Sequence, residues 1–227
     1  MIQGMARDRN GLVVGATGLI GQVLLNQLLD DGTYSSVSVL TRRPTRRNHP
    51  RLVQRVTNFS DLDVIPISRV DVVFCALGTT LAKAGSKSAF RAIDYELPLR
   101  LANWAREKGA FHFLLVSSVG ASPDARNFYL CVKGELERDI AAIGYPAIDI
   151  FQPSLLLGRR AETRPLETAS KLPALLLQWM LVGKLSRYRP VRAKDVAAAM
   201  VEAARVTAPG VRRHEYASII ELARRLH

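Results

Sequence analysis

The residues best suited to proton transfer in this sequence are Tyr129 and Lys133, which lie four positions apart in a segment with helical spacing. Side chains four residues apart project from the same face of a helix. A phenol alone is a weak acid near neutral pH, and a nearby ammonium favours the loss of its proton. The pair therefore predicts a site that gives a proton to, or takes one from, a substrate oxygen.

Two serines, Ser117 and Ser118, end the apolar run FHFLLV, and Ser118 stands eleven positions before Tyr129. The run predicts a buried strand, and the carboxyl end of a parallel strand faces the ligand crevice of an α/β sheet. A serine hydroxyl at that point could hydrogen-bond a substrate carbonyl and orient it beside Tyr129. Both serines are candidates, and Ser118 is preferred because it lies closer to the mouth of the crevice.

A tyrosine and a lysine at this spacing also occur on ordinary amphipathic helices, so their interpretation depends on the surrounding elements. Near the N-terminus, VVGATGLIG places Gly15, Gly18 and Gly21 between a strand-like run and a helical segment. Such glycines permit a tight turn, close approach of a pyrophosphate, and close packing of helix on strand. The helix that opens at Leu19 and Ile20 would direct its free N–H groups at the phosphates, which predicts a dinucleotide site.

The choice of dinucleotide depends on the end of the second strand, where this sequence has VLTRR. Sites for NAD usually place an Asp or Glu there to bind the ribose 2′-hydroxyl. Arg42 and Arg43 could instead pair with a 2′-phosphate, because guanidinium groups bind phosphate oxygens in bidentate geometry. NADP(H) is therefore favoured over NAD(H), and the alternative is that one or both arginines are solvated surface residues.

Short apolar runs that suit buried strands alternate along the chain with segments of helical spacing. This alternation predicts right-handed crossovers and a doubly wound, Rossmann-like α/β fold with a parallel sheet. Gly32, Gly109 and Gly144 follow the predicted helices and are expected to be left-handed caps. The predicted strands are 12–14, 37–40, 70–76, 111–116 and 147–151, and the predicted helices are 19–29, 89–106 and one from about 128 to before 144.

The C-terminal part of the chain is less regular. We expect one domain spanning residues 1–227, in which residues 153–190 cover the mouth of the sheet and form the substrate cleft. The apolar stretch KLPALLLQWMLVGK within it is too short to span a bilayer, and it is interpreted as a cleft helix, with an interfacial membrane anchor as the alternative. Residues 191–206 predict an amphipathic helix, and residues 215–217 predict a short edge strand.

The formal charge of +12 invites a nucleic-acid interpretation, but apart from an arginine cluster between residues 42 and 51 the basic residues are spread along the chain. No aromatic residues interleave the cluster to stack on bases, so a solvated basic surface is favoured. Cys75 and Cys131 lie in apolar segments and are expected in the core rather than in a disulfide, and the four histidines share no metal-binding motif. The charged N-terminus lacks the apolar run of a secretory signal, which predicts a cytosolic protein without a membrane span.

Several motifs together resemble one known family. VGATGLIG, TRR, CALGTTLAKAG, DYE, SSVGA, YLCVKGELE and QPSLLLGRRAETRP are similar to sequences of the Tat-interacting oxidoreductase subfamily of atypical short-chain dehydrogenases/reductases, also described as nucleotide-sugar-epimerase-like. The resemblance runs from Gly11 to about Pro165. One departure concerns Gln152, because relatives commonly have Arg-Pro-Gly where this chain has Gln-Pro-Ser.

The resemblance implies NADPH binding and assigns residues to parts of the cofactor. Tyr129 and Lys133 would be the catalytic pair. Residues implied at the pyrophosphate are Gly15, Thr17, Gly18 and Gly21; those at the adenosine phosphate are Arg42 and Arg43; those at the adenine side and ribose are Leu77, Gly78 and Thr79; and those that close over the nicotinamide are Pro153, Ser154 and Leu155.

These observations predict an NADP(H)-dependent oxidoreductase that transfers a hydride to or from an unknown carbonyl or alcohol. The alternative is an NADPH-sensing regulator that acts through a protein partner, which would not need Tyr129 and Lys133. Nucleic-acid binding through the arginine cluster is a distant third. The sequence is compatible with a monomer or a homodimer.

Overall fold

The computed structural model describes residues 8–157 and 183–226, in which seven parallel strands form one sheet and two short strands pair separately. The strands of the sheet are β1 (Arg9–Val14), β2 (Tyr34–Thr41), β3 (Leu52–Val56), β4 (Val72–Cys75), β5 (His112–Val116), β6 (Ala147–Phe151) and β9 (Gly210–His214), and the separate pair is β7 (Leu156–Leu157) with β8 (Val191–Arg192).

Helices occupy most of the connections between strands in the described part of the chain. A π-helix (Ala92–Glu96) joins two of them without a break, and a 3₁₀ helix (Gly183–Tyr188) precedes β8. The α-helices are α1 (Leu19–Asp30), α2 (Leu81–Ala84), α3 (Lys87–Arg91), α4 (Leu97–Glu107), α5 (Phe128–Ala142), α6 (Ala193–Val206) and α7 (Tyr216–Arg225).

The strand order in the sheet is β3-β2-β1-β4-β5-β6-β9. The chain runs outward from β1 to β3 and then returns to the centre as β4, so the order reverses between β1 and β4. Val14 at the end of β1 lies opposite Leu40 of β2 and Cys75 of β4, which brings the three following loops together. Ligands of open α/β sheets bind at this reversal, outside the carboxyl ends of the strands.

Both faces of the sheet are covered by helices, which confirms the doubly wound fold. On one face Val13 belongs to a buried cluster with Leu24 of α1 and Met200 of α6. On the other face Leu12 belongs to a cluster with Leu136 of α5. Consecutive strand residues point to opposite faces, so a strand buried on both sides has the continuous apolar sequence seen in β1.

Most of the predicted elements are confirmed, with shifts of a few residues at their ends. Gly109 and Gly144 adopt the positive φ expected of left-handed caps. The cap predicted at Gly32 is wrong, because α1 ends through Asp31 in an extended conformation and Gly32 has no positive φ. Strand β3 was not predicted, because Gln54 and Arg55 interrupt its apolar pattern at the partly exposed edge of the sheet.

The edge strand predicted at 215–217 is also wrong. The strand at this edge is β9, which ends at His214, and helix α7 begins at Tyr216. The helix forms because apolar residues recur at helical spacing, which buries Ile219 and Ala223 against the rest of the fold. Most of KLPALLLQWMLVGK lies at residues outside the described part, so both interpretations of that stretch stay predictions.

A buried carboxylate joins the last three strands of the sheet. Asp149 of β6 is fully buried, and its oxygens lie 2.7 Å from Nε2 of His112, 2.5 Å from Nε2 of His214 and 2.6 Å from Nη2 of Arg212. Burial pushes the pKa of Asp149 upward, but hydrogen bonds from the two histidines and Arg212 outweigh burial and hold this pKa below its usual value. Asp149 thus stabilises the junction of β5, β6 and β9 in its charged form.

We expect Asp149→Asn to lower the free energy of unfolding by about 3 kcal/mol at neutral pH, because it removes the charged partner of a buried cluster. A depressed folded-state pKa contributes stability above the unfolded aspartate pKa of about 4, and this contribution is lost as the pH falls. In urea unfolding between neutral pH and about pH 3, the free energy of unfolding should therefore decrease less with falling pH in the variant than in the wild type. Parallel curves would contradict the role assigned to Asp149.

Candidate functional site

The glycine-rich turn between β1 and α1 lies at the reversal point of the sheet. Gly15 has a φ of +87°, and a Cβ there would lie 2.4 Å from the carbonyl oxygen of Ala76 in the loop after β4. A Cβ on Gly21 would lie 2.1 Å from the carbonyl oxygen of Gly15. The turn and the first turn of α1 therefore pack so closely that side chains at these positions are excluded. Gly18 caps α1 without a side chain, which leaves the helix N-terminus open to an anion.

An open cleft of about 1370 Å³ extends from this turn along the carboxyl ends of β1 and β2. It has room for a dinucleotide, and one wall carries cations. Its lining includes five of the residues predicted to bind the cofactor, namely Gly15, Thr17, Arg42, Arg43 and Leu77. It also includes Arg46 and Arg47 of the arginine cluster, and Phe59 and Lys83, which the sequence did not single out.

The loop that carries the arginines is held by its own hydrogen bonds. The hydroxyl of Thr41 donates to the carbonyl oxygen of Arg43 at 2.7 Å. On β3, the Gln54 side chain accepts from the backbone N–H of Thr45 at 2.8 Å and donates to the carbonyl oxygen of Arg47 at 3.1 Å. The unpredicted strand β3 therefore sets the conformation of the arginine loop.

Arg51, the last member of the arginine cluster, has a different role. Its guanidinium donates to the backbone carbonyl oxygens of Asp31 at 2.7 Å, Tyr34 at 2.8 Å and also Leu29. It satisfies carbonyls at the end of α1, where a cation is also favoured by the helix dipole. The cluster thus divides into a structural arginine and four cleft arginines, rather than one continuous basic face.

Tyr129 and Lys133 lie on α5, as predicted. The side chain of Asn127 accepts from the backbone N–H of Leu130 at 3.2 Å and so defines the start of the helix. Tyr129 falls in the first turn, where it is partly exposed and its ring lies 5.6 Å from the ring of Phe90. Lys133 lies one turn further along and is buried. The helix therefore carries a partly exposed tyrosine and a buried ammonium one turn apart.

The buried ammonium of Lys133 has a carboxylate partner that the sequence did not single out. Its Nζ lies 2.7 Å from Oδ1 of Asp94, on the π-helix, and both side chains are almost completely enclosed. The other oxygen of Asp94 accepts from the backbone N–H of Thr79 at 2.8 Å. One carboxylate thus joins α5, the π-helix and the turn after β4. A signal for this partner was present in the sequence. Asp94 is an acidic residue at helical spacing from Phe90 and Leu101, so it falls on the apolar, buried face of the helical segment.

A second buried carboxylate, Glu137, lies one turn beyond Lys133. It accepts hydrogen bonds from the hydroxyl of Ser117 at 2.6 Å, the side-chain amide of Gln152 at 2.8 Å and Nε of Arg213 at 3.1 Å. The proton of the Ser117 hydroxyl is therefore directed at Glu137, while Ser118 is only partly buried. Gln152, the departure from the relatives' Arg, contributes a neutral donor, and Arg213 of β9 contributes the positive charge.

The segment predicted to close over the nicotinamide lies beside Ser118. The carbonyl oxygen of Pro153 accepts from the backbone N–H of Val119 at 3.1 Å. The hydroxyl of Ser154 donates to the carbonyl oxygen of Arg189, and the carbonyl oxygen of Leu155 accepts from the N–H of Val191 at 3.0 Å. The loops after β5 and β6 are therefore joined at the same edge as the glycine turn.

Both cysteines are free thiols: Cys75 is buried, and Cys131 is partly exposed. In residues 8–157 and 183–226, no three His, Cys, Asp or Glu side chains are arranged to hold a metal ion. Over the same residues, every helix is too short or too polar to cross a membrane.

Three features define a nucleotide-binding enzyme of the Rossmann type. They are the glycine turn against the helix N-terminus, the cation-lined cleft where the strand order reverses, and the helix that carries the tyrosine and lysine. Residues 11–135 match the model of the NAD dependent epimerase/dehydratase family. The chain belongs to this family.

The chain is also similar in sequence to several proteins along most of its length. The chain is 37% identical over 171 residues to the protein "FMP52, mitochondrial" of Saccharomyces cerevisiae, with 74% of each chain covered. It is 34% identical over 164 residues to protein HTATIP2 of Rattus norvegicus, with 70% of this chain and 67% of that one covered. The second match confirms the resemblance to the Tat-interacting subfamily of atypical short-chain dehydrogenases/reductases.

Solved structures share the fold at low identity. A UDP-N-acetylglucosamine 4-epimerase from Methanobrevibacter ruminantium superposes with a TM-score of 0.68 at 17% identity, covering 92% of this chain and 77% of that one. MoeE5, in complex with UDP-glucuronic acid and NAD, gives a TM-score of 0.69 at 19% identity, covering 90% and 75%. These likenesses support the fold.

The names of the relatives correct one expectation. FMP52 proteins from several yeasts are named mitochondrial. The cytosolic location expected from the N-terminal residues is therefore wrong as a plain statement, because a charged N-terminus argues only against a secretory signal.

The loop that follows Ser118 packs directly on α5 at Gly134, where a Cβ would lie 2.1 Å from the carbonyl carbon of Ser122 and 2.4 Å from the nitrogen of Pro123. We expect Gly134→Ala to lower the free energy of unfolding by about 1–3 kcal/mol, because backbone must move to admit the methyl group. This loss should appear in urea unfolding, even though alanine is the better helix former by about 1 kcal/mol.

Gly32→Ala is the matched control, because a Cβ there meets no atom within 4 Å and the residue has no positive φ. Its stability should equal or slightly exceed that of the wild type. A Gly134→Ala protein as stable as Gly32→Ala would show that the loop does not contact α5 in this way.

Proposed function

We propose that the protein is an NADP(H)-dependent oxidoreductase of the short-chain dehydrogenase/reductase type. The observation that carries this proposal is that the turn after β4 connects the arginine cleft with the tyrosine-lysine helix. Leu77 in that turn lines the arginine cleft, and its neighbour Gly78 lies over the buried ammonium of Lys133. A dinucleotide with its phosphates on the glycine turn would therefore run from the arginine cleft to the tyrosine-lysine helix.

The preference for NADP(H) is supported by the charges around the cleft. Arg42 and Arg43 follow β2 directly, and Arg46, Arg47 and Lys83 add three more cations to the lining. A 2′-phosphate carries negative charge that such groups bind through charge-assisted hydrogen bonds. The family's printed name refers to NAD, so the arginines of this chain are what favour the phosphorylated cofactor.

The chemistry that this chain's own residues would perform is proton transfer and orientation. A bound NADPH supplies a hydride. Tyr129, partly exposed at the start of α5, donates a proton to the substrate oxygen in reduction and accepts it in oxidation. Ser118 donates a hydrogen bond to the same oxygen, because the hydroxyl of Ser117 is directed at Glu137. Lys133 holds the hydroxyls of the nicotinamide ribose through the N–H groups of its ammonium.

We further infer that residues 1–227 form one domain and that residues 153–190 form the substrate cleft. The described ends of that segment support this inference. Ser154 and Leu155 are hydrogen-bonded to residues just before and within β8, beside the loop that carries Ser118.

Cofactor preference is tested with Arg42→Ala and Arg43→Ala. Each variant should raise the dissociation constant for NADPH roughly tenfold, because each removes a charge-assisted contact with phosphate, and NADH affinity should change little. Arg138→Ala is the control, since its side chain on α5 is 61% exposed and paired with Asp139. Unchanged NADPH affinity in both cleft variants would refute the assignment of these arginines.

The catalytic role of Tyr129 is tested with Tyr129→Phe under saturating NADPH and a panel of aldehydes and ketones. We expect kcat to fall by about 10²–10⁴ with NADPH affinity unchanged, because the proton donor is lost while the binding groups remain. The rate is followed by the loss of NADPH absorbance.

Tyr145→Phe is the control for that experiment. The Tyr145 hydroxyl donates to the carbonyl oxygen of Ala102 at 2.6 Å, inside the core, so its loss should lower stability and leave kcat unchanged. A wild-type protein that binds NADPH and reduces no carbonyl would count against the enzyme and favour an NADPH-sensing regulator.

A further inference from the structure

The arginines that line the cleft carry charges that the described part of the chain does not neutralise. They are Arg42, Arg43, Arg46 and Arg47. Each is exposed, and none of their guanidinium groups has a hydrogen bond, ion pair or ring contact with a described residue. Like charges that line one cleft repel each other, so repulsion favours a loop in which they are further apart. The loop backbone must therefore be restrained by other contacts for these charges to stay together.

One side chain of β3 restrains the second half of this loop. Gln54 lies opposite Val39 of the neighbouring strand β2, close to where the loop leaves the sheet. Its Oε1 accepts from the backbone N–H of Thr45 at 2.8 Å and from the Thr45 hydroxyl at 2.9 Å. Its Nε2 donates to the carbonyl oxygen of Arg47 at 3.1 Å. A single side chain thus fixes the backbone on both sides of Arg46.

An amide side chain suits this position because it offers both an acceptor and a donor without carrying a charge. A carboxylate there could accept from Thr45, but it would have no donor for the carbonyl oxygen of Arg47. It would also neutralise part of the positive charge that a phosphate must meet. Gln54 is not among the described residues that line the cleft. Its effect on a ligand in the cleft would therefore be exerted through the loop.

We propose that Gln54 is a positioning residue that determines how strongly the protein prefers NADP(H) over NAD(H), because it holds Arg46 and Arg47 where they meet the 2′-phosphate. This assignment rests on the proposed function. Cationic side chains on a restrained backbone lose less freedom when a phosphate binds, so their contacts contribute more to affinity. Because NADH lacks the 2′-phosphate, the contacts of Gln54 should matter for NADPH alone. A purely structural glutamine would affect stability and leave the ratio of the two affinities unchanged.

The experiment measures the dissociation constants of NADPH and NADH for the full-length protein by titration calorimetry. Gln54→Met keeps the length of the side chain and removes its hydrogen bonds to the loop. NADPH should bind this variant roughly fivefold more weakly than the wild type, and NADH affinity should be unchanged. Gln54→Thr suits a strand but is too short to reach both Thr45 and Arg47, so it should give the same result if Gln54→Met does not fold.

A double-mutant cycle tests whether Gln54 acts through the two arginines. Replacing Arg46 and Arg47 together with alanine should itself weaken NADPH binding roughly tenfold. Adding Gln54→Met to that protein should weaken NADPH binding no further, because the side chains that the glutamine positions are gone. Additive losses would show that Gln54 affects the cofactor by another route, and they would overturn the assignment.

Leu52→Ala is the matched control for the stability of the strand. Leu52 lies on β3 two residues before Gln54, packs against the core, and is not among the described residues that line the cleft. The variant should have a lower melting temperature and unchanged affinities for both cofactors. If it loses the preference for NADPH as Gln54→Met does, any weakening of β3 has this effect, and Gln54 has no specific role.

Two results separate failure of this assignment from failure of the proposed function. If the wild type binds NADPH more tightly than NADH, and the folded Gln54 variants keep the same preference, Gln54 does not determine it. If the wild-type protein binds NADPH no more tightly than NADH, the proposed preference for NADP(H) fails, and this assignment fails with it.

Discussion

An ammonium group buried in a protein needs an opposite charge within hydrogen-bond distance, because transfer of an unpaired charge out of water costs several kcal/mol. In this protein Lys133 meets that requirement through Asp94. The two residues come from helices on the same side of the sheet, and the carboxylate also binds the turn after β4. The pair therefore determines how α5, the π-helix and the central strand end are placed against one another, and the candidate site is built on that placement.

Two other buried carboxylates repeat the arrangement further along the sheet. Glu137 binds side chains that follow β5 and β6 and one that belongs to β9, and Asp149 binds histidines and an arginine from β5 and β9. In each case one anion satisfies donors from several strands. The contacts of Asp149 add side-chain bonds to the backbone pairing of β5, β6 and β9. The contacts of Glu137 fix the relative positions of the carboxyl ends of these strands, where the loops of the candidate site begin.

The other half of the site depends on exclusion of side chains rather than on charge. Gly15 and Gly21 bring the glycine turn, α1 and the loop after β4 into contact distances that a methyl group would prevent. This packing leaves the helix N-terminus open beside the cleft, where the arginines follow β2. The two parts of the candidate site thus rest on different physical means: a helix dipole and guanidinium groups at the cleft, and a buried ion pair beside the tyrosine-lysine helix.

Local patterns in the sequence determined the glycine turn, the arginines after β2 and the presence of Tyr129 and Lys133 on one helix, because each depends on residue type and spacing over fewer than a dozen positions. The alternation of strand-like and helical segments along the chain determined the fold class. Tertiary structure alone decided that Asp94 is the partner of Lys133, that Ser117 is bound by Glu137, that Arg51 serves α1, and that β3 holds the arginine loop. The physical reason is that these contacts of Lys133, Ser117 and the Arg51 guanidinium join residues 17 to 39 positions apart. The contacts of Gln54 span fewer positions, but they depend on the pairing of β3 with β2. Such partners are chosen by strand order and helix packing, which no local spacing records.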